Sequence, residues 1–106
     1  MLRIYDNSIS LIRGLRGILE SLDRRDPDLA RQLRRASASV ALNVAEGSYA
    51  RGRSRTALYQ VALASSKEVR ACLDVAKAFG YVGDIDNNVA ADLNAIGGTL
   101  YRMTMR

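Results

Sequence analysis

The sequence contains no histidine and no tryptophan, and only one cysteine, one proline and one phenylalanine. Without an imidazole there is no usual general base, no usual metal ligand and no serine or cysteine triad. The lone Cys72 excludes an internal disulfide. Any metal would have to be held by carboxylates, and no clustered acidic loop of the calcium type is present, so neither a metal nor a cofactor is expected. The apolar runs are too short to span a bilayer. The opening stretch "MLRIYDNSIS" lacks an apolar core and a small-residue cleavage site. No secretion signal is read there, and a cytoplasmic location is the expectation. Pro27 is the only proline, and Ala, Leu, Arg and Ser recur throughout, which favours helix over sheet.

What is present suffices for one domain spanning residues 1–106: the chain has 106 residues, 48% of them hydrophobic, enough for a modest core and too many for disorder. The net charge is +5, and of the 16 basic residues only Lys67 and Lys77 are lysines. Arginine favours planar, bidentate contacts to phosphate or carboxylate. Charge alone does not choose between such partners.

Apolar spacing predicts four helices. The first runs from about Asp6 to Leu22, with Ser8, Leu11, Ile12, Leu15, Ile18, Leu19 and Leu22 on one face. The second starts at Asp26 as cap and Pro27 as first helical residue, buries Leu29, Leu33, Ala36, Val40 and Val44, and ends at Gly47 or just beyond. The third starts near Ser54 as cap, carries Leu58, Val61, Ala62, Ser65, Val69, Leu73, Ala76 and Phe79, and stops at Gly80. The fourth, capped by Asp84 or Asp86, presents Ile85, Val89, Leu93, Ile96, Leu100 and Met103. Three short connections make consecutive helices antiparallel. The expected fold is all-α, an antiparallel up-down-up-down four-helix bundle. Cys72 is expected at the core margin, and Gly14 and Gly97 at similar heights, letting their helices approach.

Two features of the second and third helices go beyond a plain bundle. At about 100° per residue, Arg35, Ser39, Asn43 and Glu46 share a sector of about 80°. They form either a solvated face or a partly buried network in which Glu46 needs a donor. In addition, Ala38, Leu42 and Ala45 lie off the main stripe, as do Ala57, Ala64, Ala71 and Val75 with Glu68 beside them, and Leu63 is expected to point outward. A monomer needs one apolar stripe per helix, so these extra stripes imply self-association.

The segments "QLRRASASVALNVAEG" (32–47), "ASSKE" (64–68) and "AKAFGYV" (76–82), with Ser54 after a basic turn, resemble the bacterial four-helix-bundle family of 23S rRNA intervening-sequence proteins. Asn43 to Gly47 is the most specific part. The resemblance implies an antiparallel four-helix bundle, a homopentameric ring, a gene placed within an insertion in a large-subunit ribosomal RNA gene, and nucleic-acid binding. The chain is more distantly similar to the accessory protein of diversity-generating retroelements. It departs from the family pattern at Ala57, where an acidic residue is frequent, at Ala41, where proline is common, and in the longer turn "SYARGR".

Bundle topology also turns the charges into a spatial expectation. One pole collects Arg3, Arg51, Arg53, Arg55, Arg102 and Arg106 against Asp6 and Glu46, with Tyr49 placed to stack on a base. The other collects Arg24, Arg25 and Lys77 against Asp23, Asp26, Asp28, Asp84 and Asp86. Arginines around a helix N-terminus suit phosphate; a mobile loop whose charge serves solubility is the alternative. Three functions rank in order. The first is a non-enzymatic oligomer binding the RNA or DNA backbone. The second is an adaptor for an acidic protein partner. The third is an enzyme, for which the residues offer no machinery.

Overall fold

The computed structural model describes residues 3–105, so Arg106 of the expected basic pole lies outside the described residues. All regular structure is helical, with no strand among the described residues: α1 (Arg3–Gly14), α2 (Arg16–Arg25), α3 (Pro27–Tyr49), α4 (Gly52–Ala78) and α5 (Asn87–Thr104). At about 1.5 Å per residue, the 27 residues of α4 account for the long axis of a molecule measuring 42 × 24 × 22 Å.

The first expected helix is two. Hydrogen bonding passes through the junction, since the amide of Leu15 donates to both Leu11 and Ile12 carbonyls at 3.0 and 3.1 Å, and Leu19 donates back to Leu15 at 2.8 Å. The shared donation tightens the coil for one residue, at φ −85° and ψ −7°. Gly14 precedes this junction, and its missing side chain serves another helix: a Cβ there would lie 2.8 Å from Val89 Cγ2 on α5. Gly14 therefore seats Val89 and does not face Gly97, above which there is open space.

Asp26 both closes α2, through its amide to Leu22 O at 2.7 Å, and opens α3, through its carboxylate to Leu29 N at 3.1 Å. Pro27 occupies the first turn, where its missing N–H costs nothing. α4 ends at Gly80, whose φ of +77° suits glycine; Gly80 N donates to Lys77 O and Tyr81 N to Ala76 O, both at 2.9 Å, a Schellman closure. Asp86 caps α5 through Asn88 N at 2.7 Å. Ser54 does not cap α4. That helix starts two residues earlier, at Gly52 with φ +57°, and has no side-chain cap.

The packing register is set by cross-helix contacts. On α3 and α4, Gly47 O accepts from Arg55 Nε and Ser39 Oγ meets Ser65 Oγ, so the two run antiparallel. On α1 and α5, Asn7 bonds Asp92 while Gly14 faces Val89, again antiparallel. The stripes of α1, α2, α3 and α5 converge on one core as expected, with Leu11, Leu15, Leu22, Leu33, Val40, Val44, Ile96 and Leu100 at 0% exposure.

The third expected stripe needs correction. Val61 and Phe79 are exposed. Phe79 stacks instead on Tyr81, ring centroids 5.2 Å apart. Tyr59 takes the buried place, because Gly47 has no side chain: a Cβ on Gly47 would lie 2.5 and 2.7 Å from the Tyr59 ring. α3 ends at Tyr49, just beyond Gly47 as expected, so Gly47 sits inside the helix and is a seat for an aromatic ring. Cys72 is fully inside the core, and burial, with the Glu68 charge next in weight, raises its thiol pKa.

The seat can be tested by substitution. Gly47→Ala gains up to about 1 kcal/mol of helix propensity but overpacks a ring that cannot move, at about 1–3 kcal/mol, so urea denaturation should show a net loss. Gly17→Ala, where a Cβ meets nothing within 4 Å, should be stabilising; a gain at both positions would refute the seat. Cys72, being buried and its thiol pKa raised, should react with a colorimetric disulfide reagent at about pH 8 slowly in the folded protein and rapidly in urea.

Candidate nucleic-acid interface

Gly52, Arg55, Thr56, Tyr59 and Met103 line one hollow, and Arg3, Ile4, Asn7, Thr99 and Met103 another. Met103 joins them, so the start of α1, the end of α5 and the α3–α4 turn share one pole. Arg3, Arg51, Arg53, Arg55 and Arg102 are all exposed there. Ser21 Oγ to Tyr81 O and the Lys77–Asp84 pair mark the other pole.

The two poles treat their charges differently. At the second, Asp23 pairs with Arg34 at 3.1 Å, Asp84 with Lys77 at 2.9 Å, and Asp28 with Arg31, while Asp26 and Asp86 are occupied as caps. The Lys77 ammonium donates a hydrogen bond to Asp84 and lowers its carboxyl pKa. At the first, none of the five arginines makes an ion pair among the described residues. Arg55 is partly committed: its Nε donates to Gly47 O at 3.2 Å, satisfying a carbonyl at the end of α3. Arg102 leans on Thr99 Oγ1 at 3.4 Å. Arg51 and Arg53 flank the uncapped start of α4, whose first turn holds no acid. Unsatisfied amides and the positive helix end add to their charge. Tyr49 stands beside them, 81% exposed.

The polar stripe of α3 resolves into two parts. Asn43 Nδ2 donates to Ser39 O at 2.9 Å and Ser39 Oγ at 3.1 Å, and Ser39 Oγ meets Ser65 Oγ of α4 at 2.8 Å. These three residues form a network linking two helices. Glu46 and Arg35 are not in it: both are exposed and make no ion pair among the described residues, so water solvates them. Arg35 and Glu68 instead stand on opposite walls of an open cleft whose floor is the Ser39–Ser65 pair.

Leu42 on α3 is 67% exposed, as a second apolar stripe requires, and Val61 on α4 is exposed as well. Leu63 does not point outward. It is half-buried against the core in a groove between α4 and α5, with Lys67, Arg70, Asn94, Gly97 and Tyr101. That groove was not legible in the sequence, because it depends on the register of two helices. Among the described residues no group of three His, Cys, Asp or Glu side chains could hold a metal, and no helix is long and apolar enough to cross a membrane.

No curated protein matches the chain significantly. Its fold is similar to the crystal structure of a protein of unknown function from the S23 ribosomal protein family of Bacteroides thetaiotaomicron, with a TM-score of 0.80 and 17% identity over 97% of this chain and 99% of that one. The family model of the 23S rRNA-intervening sequence protein matches residues 1–102, and the chain therefore belongs to that family.

Proposed function

We propose that the protein is a non-enzymatic, oligomeric four-helix bundle that binds the phosphate backbone of nucleic acid through its arginine pole. In this reading α1 and α2 form one arm, because hydrogen bonding continues through Leu15, and the four arms alternate in direction. The observation that carries the binding is the gathering of five exposed arginines at one pole with no ion pair among the described residues, whereas at the other the five aspartates are paired or capping and only Arg24 and Arg25 lack an acidic partner among those residues. A cation already neutralised within its own molecule gains less from a phosphate than one that is not. The family's description, which names an intervening sequence of 23S rRNA, is consistent with an RNA ligand. Exposed Leu42, Val61 and Val75, on faces that a monomer has no use for, support self-association. In a ring with parallel subunits the arginine poles would share one rim and their attraction would multiply. The address proposed is the cytoplasm, where such an RNA is made.

Binding of a random-sequence RNA should fall steeply with salt. Arg51→Ala with Arg53→Ala should flatten the slope of log K against log salt by about 1–2 for each pole engaged. Arg55 is left intact because it also holds the end of α3. No binding at low salt would sink the nucleic-acid reading and leave an acidic protein as the partner to seek. Light scattering should give a mass several times that of one chain, and Leu42→Glu with Val61→Glu should reduce it; a monomeric wild type contradicts the assembly.

A further inference from the structure

The groove between α4 and α5 has a composition that neither the bundle nor the arginine pole explains. Its α4 wall carries two cations, Lys67 and Arg70, and no carboxylate lines it. Its α5 wall presents Asn94, then Gly97 and Gly98, then Tyr101, which is 53% exposed. Arg70 is held in place, its Nη2 donating to Asn94 Oδ1 at 2.9 Å. Lys67 makes no ion pair among the described residues. Gly97 interrupts a helix without a packing reason, for a Cβ there meets nothing within 4 Å. What its absence provides is open space beside an aromatic face.

An exposed ring beside open space, with two cations across the gap and no acid lining the groove, is the complement of a planar base carrying a phosphate. The register gives this groove a direction. Tyr101 lies at its end nearest the arginine pole, since the next residue is Arg102 and Met103 lines the hollow with Gly52 and Arg55. From these observations we infer that the groove is a nucleotide subsite for single-stranded nucleic acid. The strand crosses the arginine pole by its backbone, one base stacks on Tyr101 in the open space beside Gly97, and the adjoining phosphate meets Lys67 and Arg70. The inference rests on the nucleic-acid reading of the pole and adds to it a preference for unpaired bases, which phosphate contacts alone do not give.

The test uses three labelled probes at one salt concentration: a single-stranded ten-nucleotide oligo(A), an abasic strand of the same length, and a duplex. The wild type should prefer oligo(A). Tyr101→Ser and Gly97→Val should each weaken oligo(A) binding about five- to 150-fold, the range of one lost base–aromatic stack, and leave abasic and duplex binding unchanged. Both changes fall on exposed or open positions, and unaltered circular dichroism and melting would show that the fold is intact. Arg51→Ala with Arg53→Ala should instead weaken all three probes alike. Equal wild-type binding of oligo(A) and the abasic strand, or a preference that survives both groove variants, overturns the subsite and leaves the pole standing. Failure of all three probes overturns both.

Discussion

At Gly47 a helix gives up a side chain so that an aromatic ring can lie against its backbone, and the geometry of that end of the molecule depends on the contact. Tyr59 fills the space a Cβ would need and is almost wholly buried. The ring fixes how closely α3 and α4 approach just before their connection, and Arg55 then reaches the Gly47 carbonyl. A glycine inside a helix costs stability, and the cost is offset here by a large apolar surface removed from water. With the seat in place, the turn between the helices projects Arg51 and Arg53 from a fixed base. The same device recurs at Gly14, where Val89 of α5 takes the space. Two missing side chains therefore locate the arms that carry Arg3, Arg51, Arg53 and Arg102.

Polar groups in the interior are handled locally. Ser8, Ser37 and Ser66 donate to carbonyls three or four residues earlier on their own helices, and among the described residues no buried side-chain nitrogen or oxygen lacks a partner. Ser39, Asn43 and Ser65, like the Asn7–Asp92 bond, instead cross between helices. A hydroxyl pair joins α3 to α4 about midway along their contact, and its directionality adds registry that apolar packing alone supplies only loosely.

What the sequence revealed was what depends on neighbours in the chain. Asp26, Pro27, Gly80 and Asp86 act where their local chemistry places them. The stripes through Leu11, Leu33 and Ile96 arise from helical period alone. The errors fall where a residue answers to something distant. Tyr59 is buried because of Gly47, twelve positions away on another helix, and Val61 is displaced outward. Ser54 has the chemistry of a cap, but the chain turns into α4 earlier, at Gly52, whose positive φ no other residue adopts easily. The pole was legible because the start of α1, the end of α5 and the α3–α4 turn, remote in the chain, come together at one end. Which of its charges are free was not, since ion pairs such as Asp23–Arg34 join different helices. Nor was the α4–α5 groove, which exists only once 63–70 and 94–101 are laid side by side.

The uneven pairing of charge has a consequence for motion before any contact is made. Because Arg3, Arg51, Arg53, Arg55 and Arg102 gather at one tip of a body 42 Å long and Asp23, Asp26, Asp28, Asp84 and Asp86 at the other, the molecule carries a permanent moment along its axis. Near a polyanion it experiences a torque as well as a pull, and it turns tip-first over roughly the screening distance of about 8–10 Å. On the proposed nucleic-acid reading, collisions that would begin broadside are thereby converted into end-on arrivals, and the arrangement of arginines sets how often an approach succeeds as well as how firmly it holds.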